Sequence, residues 1–273
     1  MNPLSGKVAA VTGAASGLGK AMALAFASEG MHVALADVDL ESLNSVKGAI
    51  QGVKSFAMRV DVSKAAEVDA FAARTMAELG GVHLVCNNAG VALSGAVWEN
   101  TELDWEWILG VNLRGVVNGV RAFTPHLLAQ DEGHIVNTAS VAGLISPPGM
   151  GAYCVSKHAV VTLSEALHHD LRERGSRVGV SVLCPAYVPT RIAESERNRP
   201  KELGFSVKTS RDDNLKKAVA SGKRSADDVA RQVVAAVKAN RFYILTHPAI
   251  KGAIRARMED VLEERAPRDP LHL

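Results

Sequence analysis

Short apolar runs alternate with longer helical segments from Val8 to Leu183, and this alternation constrains the fold more than any other feature of the chain. At this spacing it indicates crossover connections, hence a parallel sheet covered by helices on both faces. The predicted strands are residues 8–12, 33–36, 55–60, 84–86, 135–139, 178–183 and 242–245. The predicted helices are residues 17–29, 40–50, 64–79, 105–128, 153–174 and 250–264. We expect an α/β fold, a doubly wound parallel sheet of about seven strands in a single domain over residues 1–273.

Composition narrows the classes of partner. The chain has 273 residues, 47% of them hydrophobic, and a formal net charge of +2. This balance argues against nucleic acid or an anionic membrane as the main partner. No apolar stretch approaches the roughly 18 residues that cross a bilayer, and the N-terminus lacks the pattern of a secretory signal, so we expect a cytoplasmic protein.

The cysteines indicate neither a metal site nor a disulfide framework. Cys86, Cys154 and Cys184 are odd in number, widely separated and without CxxC spacing. We therefore predict no metal ligands and interpret the three as buried free thiols.

The alternation stops after Pro185. Residues 190–225 contain ten Lys or Arg and five Asp or Glu, with little periodicity. A long stretch of this kind before the C-terminal helices is typical of an active-site lid. Ser225, followed by acidic residues, predicts the start of another helix. The last helix and tail occupy about residues 247–273, and we expect the proline-containing tail to be loose or ordered by a partner subunit.

A glycine loop, Gly13 to Gly19, joins the first predicted strand to the first predicted helix. A helix N-terminus offers free N–H groups, and glycines let a pyrophosphate approach them, so the loop predicts a dinucleotide in a Rossmann-type fold. Asp37, at the end of the second strand, would accept hydrogen bonds from ribose hydroxyls and repel a 2′-phosphate, which favours NAD over NADP. The alternatives are an ordinary tight turn and a solvated turn acid, a role that Asp39 could fill equally.

Tyr153 and Lys157 are four residues apart at the start of a predicted helix and share one face of it. A nearby ammonium favours the phenolate form of tyrosine, as does the positive nicotinamide ring of NAD+, and the phenolate would then accept a proton. The pair alone occurs by chance on many helices. Ser140 ends the fifth strand, at the edge where such sheets bind ligands, and Asn112 lies inside a helix, where asparagine is mildly unfavourable. The set favours hydride transfer, although Ser140 as a turn cap and Asn112 as a solvated residue remain alternatives.

These motifs resemble the classical short-chain dehydrogenase/reductase family from about Gly6 to Pro189. The matching runs are Thr12 to Gly19, Asp61-Val62, Asn87-Asn88-Ala89-Gly90, Val111-Asn112-Leu113, Ser140, Tyr153 with Lys157, and Pro185 through Thr190. Ala186 stands where the family usually has glycine. Its methyl group would narrow the pocket beside the nicotinamide or shift the lid hinge.

The resemblance implies roles for these residues. Tyr153 would be the general acid/base, and Lys157 would bind the nicotinamide ribose and lower the pKa of Tyr153. Ser140 would orient and polarise the substrate oxygen. Asn112 would hold a water that links Lys157 to solvent. The implied cofactor-binding residues begin with Gly13, Ser16, Gly17, Leu18 and Gly19 of the glycine loop, followed by Asp37 and Val38. Asp61 and Val62 would flank the adenine, and Asn88 and Gly90, with Ala89 between them, would line the cofactor near the ribose. The set is completed by Tyr153, Lys157 and Pro185, and by Val188 and Thr190, which would meet the nicotinamide carboxamide.

The expected pocket walls are mostly small or apolar and predict a hydrophobic alcohol or ketone as substrate. They comprise residues 92–95, residues 141–148, Tyr187, and the lid side chains Ile192, Leu203, Phe205, Val207, Leu215 and Val219. The excess of basic residues in the lid leaves an anionic substrate held by Arg197 and Arg199 as a second hypothesis, beside that of a solvated lid face. Helices 105–128 and 153–174 resemble the family's dimer surfaces, which implies a homotetramer, with a dimer as the alternative.

Three other functions remain open. An NADP(H)-dependent ketone or 3-oxoacyl-thioester reductase is disfavoured by Asp37. A non-catalytic dinucleotide-sensing protein would not need Asn112, Ser140, Tyr153 and Lys157 together. An epimerase on an extended version of the fold is disfavoured by the loop spacing and the modest length. The sequence names neither the substrate nor the direction of the reaction.

Overall fold

A seven-stranded sheet, in the order β3-β2-β1-β4-β5-β6-β7, forms the centre of the protein. The computed structural model describes residues 1–206 and 210–272. The strands are β1 (Val8–Thr12), β2 (His32–Asp37), β3 (Ser55–Arg59), β4 (Leu84–Asn87), β5 (His134–Thr138), β6 (Gly179–Cys184) and β7 (Tyr243–Leu245). Every neighbouring pair among them is parallel. The predicted α/β class and doubly wound sheet are confirmed.

Helices cover both faces of the sheet. The helices are α1 (Gly17–Ser28), α2 (Leu40–Ala49), α3 (Ala65–Leu79), α4 (Glu102–Leu109), α5 (Gly115–Gln130), α6 (Gly151–Glu173), α7 (Ser210–Ala220), α8 (Ala226–Lys238) and α9 (Ile250–Leu262). Helices α1, α2 and α8 pack on one face, and α3, α5 and α6 on the other. In β1, Ala9 faces the first layer and Ala10 the second. Side chains alternate along a strand, so a strand buried on both faces is mostly apolar.

The switch point of the sheet lies between β1 and β4, which are neighbours although far apart in the chain. Loops that leave two such strands diverge and open a crevice at the carboxyl edge. Thr12 fixes the width of that crevice. Its Oγ1 accepts hydrogen bonds from the N–H groups of Asn88 at 2.9 Å and Ala89 at 3.1 Å.

The single helix predicted over residues 105–128 is wrong in detail. Helix α4 runs into a π-helical turn, Gly110–Arg114, before α5 begins. Asn112 lies in this turn and bonds through its side chain to the backbone of Val91, at 2.8 Å to the N–H and 2.9 Å to the carbonyl. Such turns commonly occur at functional sites, where they displace one side chain from the regular helical positions.

The lid is more regular than its charge pattern suggested. Short 3₁₀ segments span Arg191–Asn198 and Lys201–Leu203, and α7 follows. Leu215 and Val219, four residues apart on α7, face inward, so a helical period exists but is masked by the charges around it. The predicted helix start at Ser225 is confirmed by a capping box with Asp228. Val207, one of the expected wall residues, lies outside the described residues.

The tail contacts its own chain along α9. Arg268 donates from its backbone N–H, at 3.0 Å, and from Nε, at 3.1 Å, to the buried Asp260 of α9. Within the described parts of the chain, no helix is long and apolar enough to cross a membrane, and no cluster of three or more potential metal ligands occurs. The three cysteines are buried and free, as expected.

Candidate active site

A cavity of about 740 Å³ lies at the carboxyl edge of the sheet and reaches from the glycine loop to the lid. It is lined by every expected site residue except Gly19 and Asn112. The residues predicted to bind a cofactor and those predicted to perform chemistry therefore share one cleft.

The glycine loop forms the floor of one end of this cleft. Gly13 has a φ of +65°, and a Cβ at that position would lie 2.7 Å from the Cα of Ala89. A Cβ on Gly19 would lie 2.0 Å from the carbonyl oxygen of Gly13. Gly19 therefore packs closely against the backbone of the loop and does not line the cleft. At the start of α1, Ser16 makes no side-chain cap and the first turn contains no acid. The free backbone N–H groups of the first turn of α1 can therefore bind a phosphate. The glycine loop thus fits a dinucleotide.

Asp37 and Asp39 have different tasks. Asp37 lines the cleft and accepts hydrogen bonds from the N–H groups of Ala15 at 3.0 Å and of Asp39 at 3.1 Å. A carboxylate has about four acceptor positions, so Asp37 can still accept from two ribose hydroxyls. Asp39 caps α2 by accepting from the N–H of Ser42 at 3.0 Å. Asp37 is therefore the better candidate for the ribose.

Asp61 and Val62, the residues expected to flank the adenine, line the cleft in the loop between β3 and α3. The Oδ1 of Asp61 accepts from the N–H and the hydroxyl of Ser63, at 3.0 and 2.7 Å. The carbonyl of Val62 accepts from Asn118 at 2.8 Å. Val62 also packs on Gly115, where a Cβ would lie 2.6 Å from its Cγ2. The adenine end of the cleft is thus held by α5 and by the loop after β3.

Asn88 joins the ends of three strands. Its Nδ2 donates to the carbonyl of Thr12 at 3.1 Å, and its Oδ1 accepts from the hydroxyl of Thr138 at 3.2 Å. Two residues on, a Cβ at Gly90 would lie 3.4 Å from both the Nζ of Lys157 and the Oδ1 of Asn112. The loop after β4 therefore connects the glycine loop to the reacting end of the cleft.

Lys157 and Tyr153 lie on one face of α6, as their spacing predicted. The Nζ of Lys157 donates to the carbonyl of Thr138 at 2.9 Å and lies 5.7 Å from the centroid of the Tyr153 ring. Burial lowers the pKa of Lys157 to about 8, so the group is still mainly an ammonium at neutral pH.

The pKa of Tyr153 differs from the sequence-based expectation. Burial raises it to about 12, and hydrogen bonding to Ser140 opposes the rise. Desolvation of the phenolate is the largest cause of the raised pKa of Tyr153. The nearby Lys157 ammonium is bonded to the carbonyl of Thr138. Tyr153 is therefore protonated at neutral pH unless a further positive charge lies beside it.

Ser140 caps a turn, one of the two roles that the sequence left open. Its Oγ caps the 3₁₀ turn Val141–Gly143 by accepting from the N–H of Ala142 at 3.1 Å, and it donates to the carbonyl of Pro185 at 3.3 Å. It also lines the cleft and bonds to Tyr153. The cap thus fixes the hydroxyl of Ser140 at the cleft wall, close to Tyr153.

Asn112 is fully buried behind the cleft wall. Its two amide hydrogens go to the carbonyl of Val91 and to the hydroxyl of Ser156, at 2.9 and 3.0 Å. Its Oδ1 already accepts from the N–H of Val91. If this side chain held the expected water, only the second lone pair of Oδ1 would be available for it.

The segment that begins at Pro185 forms the wall opposite the glycine loop. Val188 is buried, and Thr190 lies over α1, with its Cβ 3.2 Å from the position of a Cβ on Gly17. Ala186 lines the cleft, and its N–H lies 3.4 Å from Nδ1 of His247. The loop after β7 therefore contacts the backbone of this wall residue.

Arg197 and Arg199, the two lid cations that could hold an anionic substrate, both have partners within the protein. Arg199 is buried against Asp104 at 2.5 Å, and its guanidinium lies 5.0 Å from the centroid of the Trp107 ring. Arg197 donates to the carbonyl of Arg191 at 2.8 Å and experiences the negative charge of Asp37, at the opposite end of the cleft from Tyr153. Arg199 therefore holds the lid in place.

The apolar walls agree in part with expectation. Ala92, Tyr187, Ile192, Leu203, Leu215 and Val219 line the cleft. Phe205 does not, since it is 90% exposed. Ile250 and Leu271 also line the cleft, although no sequence pattern predicted this. Thr12 and Ser156, which position other site residues, were missed because hydroxyls at strand ends and on helices are too common to single out.

Comparison with known proteins agrees with this geometry. The family model for short chain dehydrogenases matches residues 7–201. The crystal structure of a short-chain dehydrogenase/reductase from Burkholderia phymatum in complex with NAD is similar, with a TM-score of 0.95, 50% identity and 100% coverage of both chains.

Curated relatives extend the comparison. The CLA biosynthesis dehydrogenase/reductase of Lactiplantibacillus plantarum is 34% identical over 277 residues, with 98% of this chain and 97% of the relative covered. The meso-2,3-butanediol dehydrogenase of Serratia marcescens is 38% identical over 186 residues, with 68% and 73% covered. The chain belongs to the short-chain dehydrogenase family of oxidoreductases.

Proposed function

We propose that this protein is an NAD-dependent dehydrogenase/reductase that transfers a hydride between the nicotinamide and the CH–OH carbon of a hydrophobic alcohol or ketone. The observation that carries the proposal is the meeting of Tyr153, Lys157 and Ser140 in one cleft with the glycine loop. A sensor that only binds a dinucleotide would have no need of a buried tyrosine beside a buried ammonium.

Tyr153 acts as the general acid/base. In oxidation, its Oη takes the hydroxyl proton of the substrate while the hydride leaves the carbon; in reduction, the proton returns to the carbonyl oxygen. Ser140 orients the substrate oxygen, and its hydroxyl is already fixed by the turn that it caps. Bound NAD supplies the hydride acceptor and a positive ring that favours the phenolate form of Tyr153.

Lys157 places a positive charge beneath the tyrosine and a donor toward the nicotinamide ribose. The bond from its Nζ to Thr138 uses one of its three hydrogens, which leaves two for the ribose hydroxyls. Asn112 positions this group indirectly by holding Val91 and the first turns of α6 through Ser156.

The preference for NAD rests on Asp37, whose carboxylate would repel a 2′-phosphate. The Burkholderia phymatum structure, which is a complex with NAD, supports the same choice. One observation favours NADP(H) as the second candidate. Arg197 interacts electrostatically with Asp37 and Asp39. A guanidinium beside these carboxylates could pair with a 2′-phosphate on the ribose.

The preference for an apolar substrate rests on the apolar part of the lining of the cleft that holds Tyr153. This part includes the side chains of Val141, Ala142, Ile145, Leu203, Leu215 and Val219. Because Arg199 is paired with Asp104, it is not free to bind a substrate carboxylate. We therefore prefer a neutral, hydrophobic secondary alcohol or its ketone.

A panel of secondary alcohols and ketones, each with NAD(H) and with NADP(H), tests the proposal by the absorbance of the reduced cofactor. We expect turnover with apolar members and a higher kcat/KM with NAD(H) than with NADP(H). Absence of turnover with every member, despite measurable NAD binding, would contradict the enzymatic proposal and favour a sensor. Faster turnover with NADPH would favour the second candidate.

We also propose a homotetramer, with α5 and α6 as its dimer surfaces. Both helices expose apolar side chains, Val117 at 39% and Val155 at 50%. Light scattering during size exclusion checks this. A mass of one chain at every concentration would contradict it.

A further inference from the structure

The loop between β7 and α9 contacts the cleft wall and brings the start of α9 to the cleft. Nδ1 of His247 lies 3.4 Å from the N–H of Ala186, on the wall expected beside the nicotinamide. The N–H of Ile250 then donates to the carbonyl of His247 at 3.2 Å, so α9 begins directly behind that wall. Ile250 lines the cleft together with Ala186 and Tyr187.

The segment 265–272 returns along α9 toward this point. Arg268 donates from Nη2 to the carbonyl of Ala256 at 2.8 Å, and from its backbone and Nε to Asp260. Asp260 is only 4% exposed and also pairs with Arg265 at 3.2 Å. A buried carboxylate between two guanidiniums is a strong anchor, because loss of either cation leaves its charge poorly compensated. Arg268 is thus attached to the middle of α9.

Beyond this anchor the chain continues toward the start of α9. The carboxylate of Asp269 accepts from the N–H of Leu271 at 2.9 Å, and its carbonyl accepts from the N–H of His272 at 3.2 Å. This turn directs Leu271 to the cleft, which it lines together with Ile250. Leu271 remains 56% exposed. Its apolar surface can therefore still be buried by a ligand.

We propose that Leu271, held by the Arg268–Asp260 anchor, is a specificity-determining residue that contacts the distal apolar part of the substrate. The inference rests on the proposed function and adds a substrate class to it: alcohols or ketones with an apolar chain long enough to reach from Tyr153 to the start of α9. Contacts remote from the reacting carbon mainly change how tightly a substrate binds, and discrimination per methylene in such pockets is about tenfold or more.

The test uses Leu271→Ala and Leu271→Asp with secondary alcohols of increasing chain length and NAD. For the longest apolar alcohols we expect kcat/KM to fall about tenfold in Leu271→Ala and further in Leu271→Asp, mainly through KM. The shortest alcohol and the Kd for NAD should be unchanged. Arg268→Met should shift the chain-length profile in the same direction, because it releases the anchor.

Leu262→Ala is the matched control. Leu262 is also apolar, 79% exposed and on α9, but it does not line the cleft. Its profile should equal that of the wild type. An unchanged chain-length profile in both Leu271 variants, or an equal loss for short and long alcohols, would overturn the inference while the proposed function stands. A wild-type protein that oxidises no alcohol would overturn both.

Discussion

Lys157 donates a hydrogen bond from Nζ to the carbonyl oxygen of Thr138 at 2.9 Å, which ties a fully enclosed ammonium on α6 to the end of β5. A carbonyl at a strand end is a fixed, partially negative partner, but it does not neutralise a charge. Burial therefore lowers the pKa of Lys157 to about 8. The contribution of the buried Lys157 ammonium to the free energy of unfolding therefore depends on pH.

The first prediction concerns stability against pH. The pKa of Lys157 is about 8 in the folded state against 10.5 for a free lysine, so between these values the unfolded chain binds more protons. Stability therefore gains from this group as pH rises through that window. Lys157→Met should lose the gain, which amounts to about 2 kcal/mol between about pH 8 and pH 10. Urea unfolding across this range measures it.

Lys47→Met is the control for that experiment. Lys47 is exposed on α2, and its replacement should leave the pH dependence of the unfolding free energy parallel to that of the wild type. Parallel curves for Lys157→Met as well would contradict the assignment of a buried ammonium to Lys157.

The second prediction concerns the choice of cofactor. Asp37→Ser removes the carboxylate that would repel a 2′-phosphate and leaves Arg197 nearby without this negative neighbour. The ratio of kcat/KM for NADP to that for NAD should rise by at least about tenfold, since like-charge contacts cost several kcal/mol. Steady-state kinetics with both cofactors measures the ratio.

Asp39→Ser provides the comparison, because Asp39 caps α2. Serine can cap a helix as well, so stability should change little and the cofactor ratio should stay near that of the wild type. If Asp39→Ser shifted the ratio and Asp37→Ser did not, the assignment of the ribose-binding carboxylate would be reversed.

The third prediction concerns the lid. Arg199 and Asp104 are both almost fully enclosed, with side chains 2% and 3% exposed. Arg199→Met leaves a buried carboxylate without its cation and should cost about 3–5 kcal/mol of unfolding free energy. Combining it with Asp104→Asn should restore part of that loss. A double-mutant cycle in denaturant measures both.

Arg177→Met is the exposed counterpart. Arg177 pairs with Asp131 at 2.9 Å, but its side chain is 78% exposed, so its loss should cost no more than about 1 kcal/mol. Equal losses for Arg177→Met and Arg199→Met would show that the buried pair does not stabilise the lid.

The sequence predicted most of the sheet because the strands consist mainly of apolar residues and helical segments separate them at regular intervals. Site residues that line the cleft were also found, since Tyr153, Ser140 and Asp37 each lie at a strand end or on a patterned helix face. The π-turn at Asn112 was not predictable, because it depends on a bond to Val91, a residue 21 positions away.

Three features of the site depend on packing between distant segments, which a local sequence pattern does not predict. The raised pKa of Tyr153 follows from enclosure by distant segments. The sequence suggested Arg199 as a substrate-binding cation, whereas in the fold it is buried against Asp104. Leu271 reaches the cleft only because Arg268 and Asp260, on different segments, fold the tail back along α9.

The most direct test of the central claim is Tyr153→Phe, compared with Tyr243→Phe on the far edge of the sheet. The first variant removes only the proton-transferring hydroxyl, so kcat should fall by at least about 10³-fold while the Kd for NAD, measured by calorimetry, stays within about threefold of the wild type. Tyr243→Phe should retain turnover. Turnover by Tyr153→Phe above about a tenth of the wild-type rate would contradict the account, since general acid/base catalysis by this residue could not then drive the reaction.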